Sequence, residues 1–97
     1  MHFEQILENT YYHQGFFNVK VEYDKFIRPT EGTIDIQLCT NGRVLSGKVN
    51  RRANTNSTAR IMGRSKLRDW FLENFQPMDK IWVEVVSPEH IILQRHK

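Results

Sequence analysis

Short runs in which apolar and polar residues alternate recur along the whole chain, and this period of two constrains the fold most. The clearest run is residues 33–38, in which Ile34, Ile36 and Leu38 alternate with polar residues. The other segments with strand character are residues 3–7, 16–21, 43–50, 60–62, 81–85 and 90–94. Seven short strands in 97 residues predict one mainly β domain rather than two domains.

One helix is predicted over residues 65–75, with Ser65 as its N-cap. Its apolar residues form a single stripe at helical spacing, which is typical of packing against a core: Leu67, Trp70, Phe71 and Phe75. A second helical turn is expected over residues 22–27, and Asn41-Gly42 favours a tight hairpin turn with positive φ angles. The predicted fold class is mainly β with one or two helices, as a small barrel or pseudobarrel with a helix plugging an opening.

The charges are distributed unevenly along the chain. Residues 36–68 contain eight basic residues and no acidic one, whereas the remainder contains six basic and eleven acidic residues. The eight are Arg43, Lys48, Arg51, Arg52, Arg60, Arg64, Lys66 and Arg68. A net charge of +3 therefore conceals a strongly basic middle third, which predicts a polyanionic partner.

Composition excludes several classes of protein. Hydrophobic residues make up 39% of the chain and aromatic residues 11%, which is too rich for a disordered segment. No apolar run approaches the roughly 20 residues of a membrane span, and no signal peptide is recognisable at the start. The single cysteine, Cys39, permits no internal disulfide and no cysteine-based metal cluster. A cytoplasmic location without membrane contact is expected.

Catalytic patterns are weak in this sequence. A metal-dependent nuclease needs a spaced carboxylate pair followed by Glu-x-Lys, and neither Asp24-Lys25 nor Asp79-Lys80 belongs to one. The four histidines are scattered, and the glycines are too dispersed for a phosphate-binding loop. We therefore expect a non-catalytic domain with no metal and no cofactor.

A polar loop flanked by arginines is the strongest candidate for binding. Residues 51–60 combine guanidinium, amide and hydroxyl groups and contain no carboxylate, which is what readout of a DNA groove requires. The alternative is a solvent-exposed loop whose basic residues have no binding role. That alternative does not explain why the segments on either side of the loop also lack acidic residues. A second polar segment, residues 9–15, offers amides, an imidazole and two phenols, and together the two segments predict one binding surface.

Residues 67–81 run from an aromatic helix through Asn74 to Asp79, which opens a strand. This order resembles the DNA-binding pseudobarrel of the plant B-three transcription-factor domain. The same fold forms effector or recognition domains of EcoRII-type restriction endonucleases. Met78 stands where that family usually has glycine, so a different turn conformation is predicted there. The resemblance implies one seven-stranded open DNA-binding pseudobarrel over residues 1–97.

The resemblance also implies two arms that grip opposite sides of one DNA major groove. The N-arm would comprise Asn9, Thr10, Tyr11, Tyr12, His13 and Gln14. The C-arm would comprise Arg51, Arg52, Asn54, Asn56, Ser57 and Thr58. Phosphate contacts would come from Lys20, Lys48, Arg60, Arg64 and Lys66.

In this interpretation the chain binds specific sequences of double-stranded DNA as the recognition or effector domain of a type II restriction endonuclease. The nuclease domain would be a separate part of a longer chain. An EcoRII-type role implies a CCWGG-like site, with C·G pairs flanking a central A·T pair. Three alternatives remain: a small metal-dependent nuclease, a protein-interaction barrel, and an RNA-binding barrel that stacks bases on Tyr11, Tyr12 or Trp82.

Overall fold

Seven strands and three short helices follow one another in the computed structural model, which describes residues 1–95; His96 and Lys97 lie outside the described residues. The strands are β1 (His2–Ile6), β2 (Phe16–Asn18), β3 (Gly32–Leu38), β4 (Val44–Asn50), β5 (Arg60–Met62), β6 (Lys80–Ser87) and β7 (His90–Gln94). The helices are α1 (Asn9–Gln14), α2 (Arg64–Asn74) and a 3₁₀ helix, Val21–Phe26.

All seven strands belong to one mixed sheet, in the order β1-β6-β7-β3-β4-β5-β2. The β3–β7 pair is parallel and every other pair is antiparallel. The sheet curls into an open half-barrel with β1 and β2 as its two edge strands, which confirms the predicted mainly β pseudobarrel.

The core follows the alternation in the sequence. Ile34, Ile36 and Leu38 of β3 are buried, and the polar side chains between them are more exposed. The predicted helical stripe is also confirmed, because Leu67, Trp70, Phe71 and Phe75 are all buried. Burying side chains of this size stabilises the fold by about 1.5–3 kcal/mol each. Helix α2 thus contributes its aromatic stripe to the same core cluster as the sheet.

Two predicted element boundaries were wrong. Strand β2 ends at Asn18 and does not extend to residue 21; Val21 begins the 3₁₀ helix and is 71% exposed. Helix α2 begins at Arg64, with Gly63 at the cap position, and Ser65 therefore lies inside the first turn. The reason is a tertiary contact, since the Gly15 carbonyl accepts the N–H groups of both Gly63 and Arg64.

The hairpin between β3 and β4 also differs from the prediction. Its positive φ angle is at Cys39 (67°), and neither Asn41 nor Gly42 has one. The connection contains four residues, 39–42, because the Leu38 N–H donates to the Arg43 carbonyl at 2.9 Å; within it the Cys39 carbonyl accepts the N–H of Gly42 at 3.2 Å. Glycine is still required at position 42, where a Cβ would collide with the Leu38 carbonyl oxygen.

The turn before β6 has the conformation that glycine favours. Met78 has a φ of 74°, its N–H donates to the Leu7 carbonyl at 2.6 Å, and its side chain is 58% exposed. The prediction of a different conformation at Met78 was therefore wrong. This chain adopts the left-handed backbone there despite carrying a Cβ.

Replacing Met78 with glycine is expected to raise the free energy of unfolding by about 0.5–1 kcal/mol. Glycine removes a left-handed Cβ penalty of about 1–2 kcal/mol, part of which is offset by the greater freedom of glycine in the unfolded chain. Urea denaturation measures the difference, and Met78→Ala is the control because alanine retains the Cβ. Equal stability of the two variants would contradict this explanation.

Candidate nucleic-acid interface

The N-arm is a short helix and not a loop, because residues 9–14 form α1. Four of its six residues are exposed, and all four are able to form hydrogen bonds: Asn9, Thr10, His13 and Gln14. Gly15 ends the helix in the left-handed conformation, with its N–H donating to the Tyr11 carbonyl at 2.9 Å. An α-helix with its side chains is about 10–12 Å across, and the major groove of DNA, about 12 Å wide, admits one.

The two tyrosines of the N-arm have structural contacts. Tyr12 is buried, and its hydroxyl donates to the Phe75 carbonyl at 3.1 Å, so it fixes α1 against the end of α2. Tyr12 is therefore withdrawn from the predicted DNA contacts. Tyr11 is half-buried; its ring lies edge-on to Phe16 at 5.2 Å, and its hydroxyl accepts the Asn18 amide at 3.2 Å.

The C-arm is the connection between β4 and β5, and its own side chains organise it. The Asn50 Oδ1 accepts the N–H groups of Arg52 and Ala53 at 2.8 and 3.1 Å. The Asn56 Oδ1 accepts both the N–H and the hydroxyl of Thr58. Thr58 is buried in this loop and is withdrawn from the predicted contacts, whereas the C-arm side chains of Arg52, Asn56 and Ser57 remain exposed.

Arg51 anchors the C-arm to the rest of the protein. Its Nη1 lies 2.8 Å from the Asp24 carboxylate, and its side chain is only 15% exposed. The other guanidinium hydrogen bonds go to the backbone carbonyls of Ile27, Arg28 and Ser57. This guanidinium has no group left to present to a base, so Arg51 is also withdrawn from the predicted contacts.

An open cleft of about 500 Å³, called the arm cleft below, lies between Tyr11 of the N-arm and residues of the C-arm. Its uncharged and basic polar lining comes from both arms, from the end of β2 and from the segment after it: Tyr11, Asn18, Lys20, Asn54, Thr55, Asn56 and Thr58. Two acidic residues, Glu8 and Glu22, also line it. Gln5 contributes from β1, although its side chain is 4% exposed and its Oε1 is buried without a partner in the described residues.

Asn18 connects the parts of this region. Its Oδ1 accepts the Asn54 amide and the Arg60 Nε, both at 3.0 Å, and its Nδ2 donates to Tyr11. One side chain thus joins the N-arm, the C-arm and β5. Neither Asn18 nor Thr55 was among the residues predicted from the sequence to bind. For Asn18 the sequence did contain an indication, since its amide stands between the apolar Phe17 and Val19 in a predicted strand.

The outer face of β2, β5 and β4, called the polar face below, adjoins the arms. Asn18 pairs with Arg60, which pairs with Asn50; one row away, Phe16 pairs with Met62, which pairs with Lys48. None of the outward-facing residues of these three strands is acidic: Phe16, Asn18, Val44, Ser46, Lys48, Asn50, Arg60 and Met62. Asparagine, arginine and lysine therefore lie side by side between the arms and the hairpin.

Basic side chains extend this surface in one direction. Lys48 and Arg64 line a recess of about 340 Å³ beside Thr33 and Ser46, and Lys66 is exposed in the first turn of α2. Two other basic residues of the acid-free stretch do not belong to this surface. Arg68 pairs with Asp69 at 3.1 Å, and Arg43 lies in the hairpin at the opposite end of β4, about 20 Å from the C-arm. The eight basic residues therefore do not form a single surface.

The described residues contain no group of three or more His, Cys, Asp or Glu side chains that could hold a metal ion. No helix in residues 1–95 is both long enough and apolar enough to cross a bilayer.

Comparison with known proteins identifies similar folds. A hypothetical protein of Arabidopsis thaliana superposes with a TM-score of 0.68 at 7% identity, covering 96% of this chain and 86% of that one. The N-terminal domain of LlaJI.R1 from Helicobacter pylori superposes with a TM-score of 0.65 at 10% identity, covering 96% of this chain and 78% of that domain. No protein-family profile and no curated protein matches the sequence.

At these identities the similarity establishes the fold alone. Both superpositions extend over almost the whole chain, so they include the arms as well as the sheet. They support the open pseudobarrel that the sequence resemblance implies.

Proposed function

We propose that this chain is a sequence-specific double-stranded DNA-binding domain that places its two arms in the major groove. The observation that carries the proposal is the arrangement of the arms, which both contribute to the arm cleft beside a polar face with no acidic residue. Exposed amides and hydroxyls on the arms reach base edges, and the basic side chains around them neutralise phosphates.

The resemblance to EcoRII-type recognition domains implies a role in restriction, and the fold shared with the N-terminal domain of LlaJI.R1 is compatible with that role. In this role the chain is the recognition or effector module of a type II enzyme, and catalysis belongs to a nuclease domain elsewhere in a longer chain. A CCWGG-like target sequence is implied only by the resemblance to EcoRII-type enzymes. The residue types of the arms do not by themselves specify that sequence.

Duplex DNA is a better partner than single-stranded RNA because two of the three expected stacking platforms are engaged, and the third, Trp82, is half-buried with its ring 5.6 Å from that of His2. Tyr12 is buried, and Tyr11 is held by Phe16 and Asn18 with its ring half-buried. Proteins that bind RNA by stacking need exposed aromatic faces.

Binding to duplex DNA is expected to weaken steeply with salt, with log K falling by about 0.9 per phosphate contact for each unit of log salt. The double variant Lys48→Gln/Arg64→Gln is expected to make that slope shallower by about 1.8. Fluorescence anisotropy of a labelled duplex measures both. Arg43→Gln is the matched control, because it removes a positive charge from the distant hairpin and leaves the slope unchanged.

Competition with unlabelled nucleic acids separates the alternatives. Duplex DNA is expected to displace the probe at lower concentrations than single-stranded DNA or duplex RNA. Preferential displacement by RNA would support the RNA-binding barrel, and binding without salt dependence would contradict the proposal. Cleavage of a plasmid by the pure chain with Mg²⁺ would instead identify a nuclease.

A further inference from the structure

Arg60 is held in one orientation by two neighbours. Its guanidinium carbon lies 4.3 Å from the centroid of the Phe16 ring, and its Nε donates to the Asn18 Oδ1 at 3.0 Å. Both neighbours belong to β2, which pairs with β5 in a fixed register, Asn18 opposite Arg60. Contact with an aromatic ring and a hydrogen bond at Nε restrict the rotamers of a side chain that is otherwise long and flexible.

The end of this side chain has no partner among the residues that the structure describes. Among residues 1–95, neither Nη1 nor Nη2 of Arg60 forms a hydrogen bond or an ion pair. Three other arginines of the acid-free stretch have carboxylate partners. Arg51 is fully engaged, Arg52 pairs with Glu31 at 3.6 Å with its side chain 89% exposed, and Arg68 pairs with Asp69. The Arg60 side chain is thus restrained at its guanidinium carbon and Nε, whereas Nη1 and Nη2 have no partner among residues 1–95.

We propose that Arg60 reads a single guanine in the major groove through both Nη atoms, an assignment that rests on the proposed DNA-binding function. Guanine presents two acceptors, O6 and N7, at the spacing that the planar guanidinium matches. Because Phe16 and Asn18 already restrain the side chain, less rotamer freedom is lost when the base binds. Arg60 was predicted from the sequence as a phosphate contact, and its place between the arms favours a base contact instead.

Asn18 is the positioning residue of this subsite. Its Oδ1 accepts hydrogen bonds from Arg60 and from Asn54 of the C-arm, and its Nδ2 donates to Tyr11 of the N-arm. The orientation of Arg60 is thereby coupled to the positions of both arms. Loss of Asn18 leaves the charge of Arg60 intact and removes its alignment.

The test compares the wild type with Arg60→Lys in a selection from a pool of random duplex DNA. Lysine keeps the positive charge and lacks the planar pair of donors. The wild-type motif is expected to contain a G·C pair that it prefers over other pairs by about 5- to 150-fold, the range for a bidentate contact. Arg60→Lys is expected to lose that preference and to retain the other positions, with an unchanged salt slope.

Two further measurements isolate the contact. Replacing the guanine with 7-deazaguanine, which lacks the N7 acceptor, is expected to weaken wild-type binding and to have no effect on Arg60→Ala. Asn18→Ala is expected to relax selectivity at the same base pair, with the salt slope unchanged. Arg43→Lys is the matched control, because Arg43 lies in the hairpin distant from both arms, and it is expected to keep the whole motif.

The outcomes separate this assignment from the proposed function. A wild type that enriches no sequence overturns both. A wild type that enriches a motif which Arg60→Lys retains in full overturns the Arg60 assignment alone. If Arg60→Ala weakens binding equally for every sequence and makes the salt slope shallower by about 0.9, Arg60 contacts a phosphate and the guanine assignment is wrong.

Discussion

Replacing Arg51 with alanine is expected to lower the free energy of unfolding by about 3–5 kcal/mol, the range for breaking one side of a largely buried ion pair. The change leaves the Asp24 carboxylate, which is 23% exposed, without its guanidinium. It also removes the donors to the carbonyls of Ile27, Arg28 and Ser57. Urea denaturation followed by circular dichroism measures the loss, which is large for a chain of this size.

Arg52→Ala is the matched control, one residue further along the chain. Its side chain is 89% exposed and its ion pair with Glu31 spans 3.6 Å, so the stability is expected to change by no more than about 0.5 kcal/mol. The two variants thus separate an anchoring arginine from a surface arginine. Similar small losses for both would show that Arg51 does not anchor the C-arm.

Replacing Gly15 with alanine is expected to lower the free energy of unfolding by about 2–4 kcal/mol. Gly15 has a φ of 74°, and a Cβ there would lie 2.7 Å from the Arg68 nitrogen and closer still to the Arg64 carbonyl oxygen. The added atom brings left-handed strain of about 1–2 kcal/mol together with overpacking of about 1–3 kcal/mol. The atoms it meets are backbone atoms of α2, which cannot rotate away.

Duplex DNA binding by Gly15→Ala is also expected to weaken, because the substitution displaces α1 from α2 and moves the N-arm. Gln14→Ala is the control for stability alone, since Gln14 is exposed and immediately precedes Gly15, and its side chain belongs to the N-arm. Unfolding midpoints in urea report stability, and anisotropy titrations report binding. A Gly15→Ala variant as stable as Gln14→Ala would contradict the close contact between α1 and α2.

The sheet could be predicted because burial imposes a period of two on each strand. Ile34 and Ile36 face the core while Asp35 is exposed, and a one-residue slip of the register would turn the apolar set outward. Helix α2 could be predicted for the corresponding reason, since Leu67, Trp70 and Phe71 fall on one face. Patterns of this kind depend only on nearby positions in the sequence. They can therefore be recognised without knowing which other elements each strand or helix packs against.

Helix α1 could not be predicted because its stability comes from distant contacts. Six residues are too few for an isolated helix, and the segment contains asparagine, threonine and two tyrosines, which are mediocre helix formers. The hydrogen bond that holds it joins Tyr12 to Phe75, 63 residues away. The same dependence on tertiary contacts places the start of α2 at Arg64 and not after Ser65.

The roles of Arg51 and Arg52 could not be separated in the sequence either. Both lie in the same acid-free loop, and their difference arises from Asp24, 27 residues from Arg51 and far outside the local pattern. The charge pattern correctly singled out a basic segment, but it did not resolve which side chains stabilise the loop. Asn18 was missed for the same reason, since its hydrogen-bond partners come from α1, the C-arm and β5.

Backbone amide mapping by nuclear magnetic resonance tests most directly whether the two arms hold duplex DNA. A ¹⁵N-labelled chain is titrated with a selected duplex at about 0.15 M salt, where weak surface electrostatics are screened. If the two arms hold duplex DNA, the amide resonances that shift are expected to be concentrated in α1, in the C-arm and around Lys20 and Arg60. Those of β6 and β7 are expected to be unaffected. Shifts centred on β6 and β7, or none at saturating duplex, would contradict this expectation.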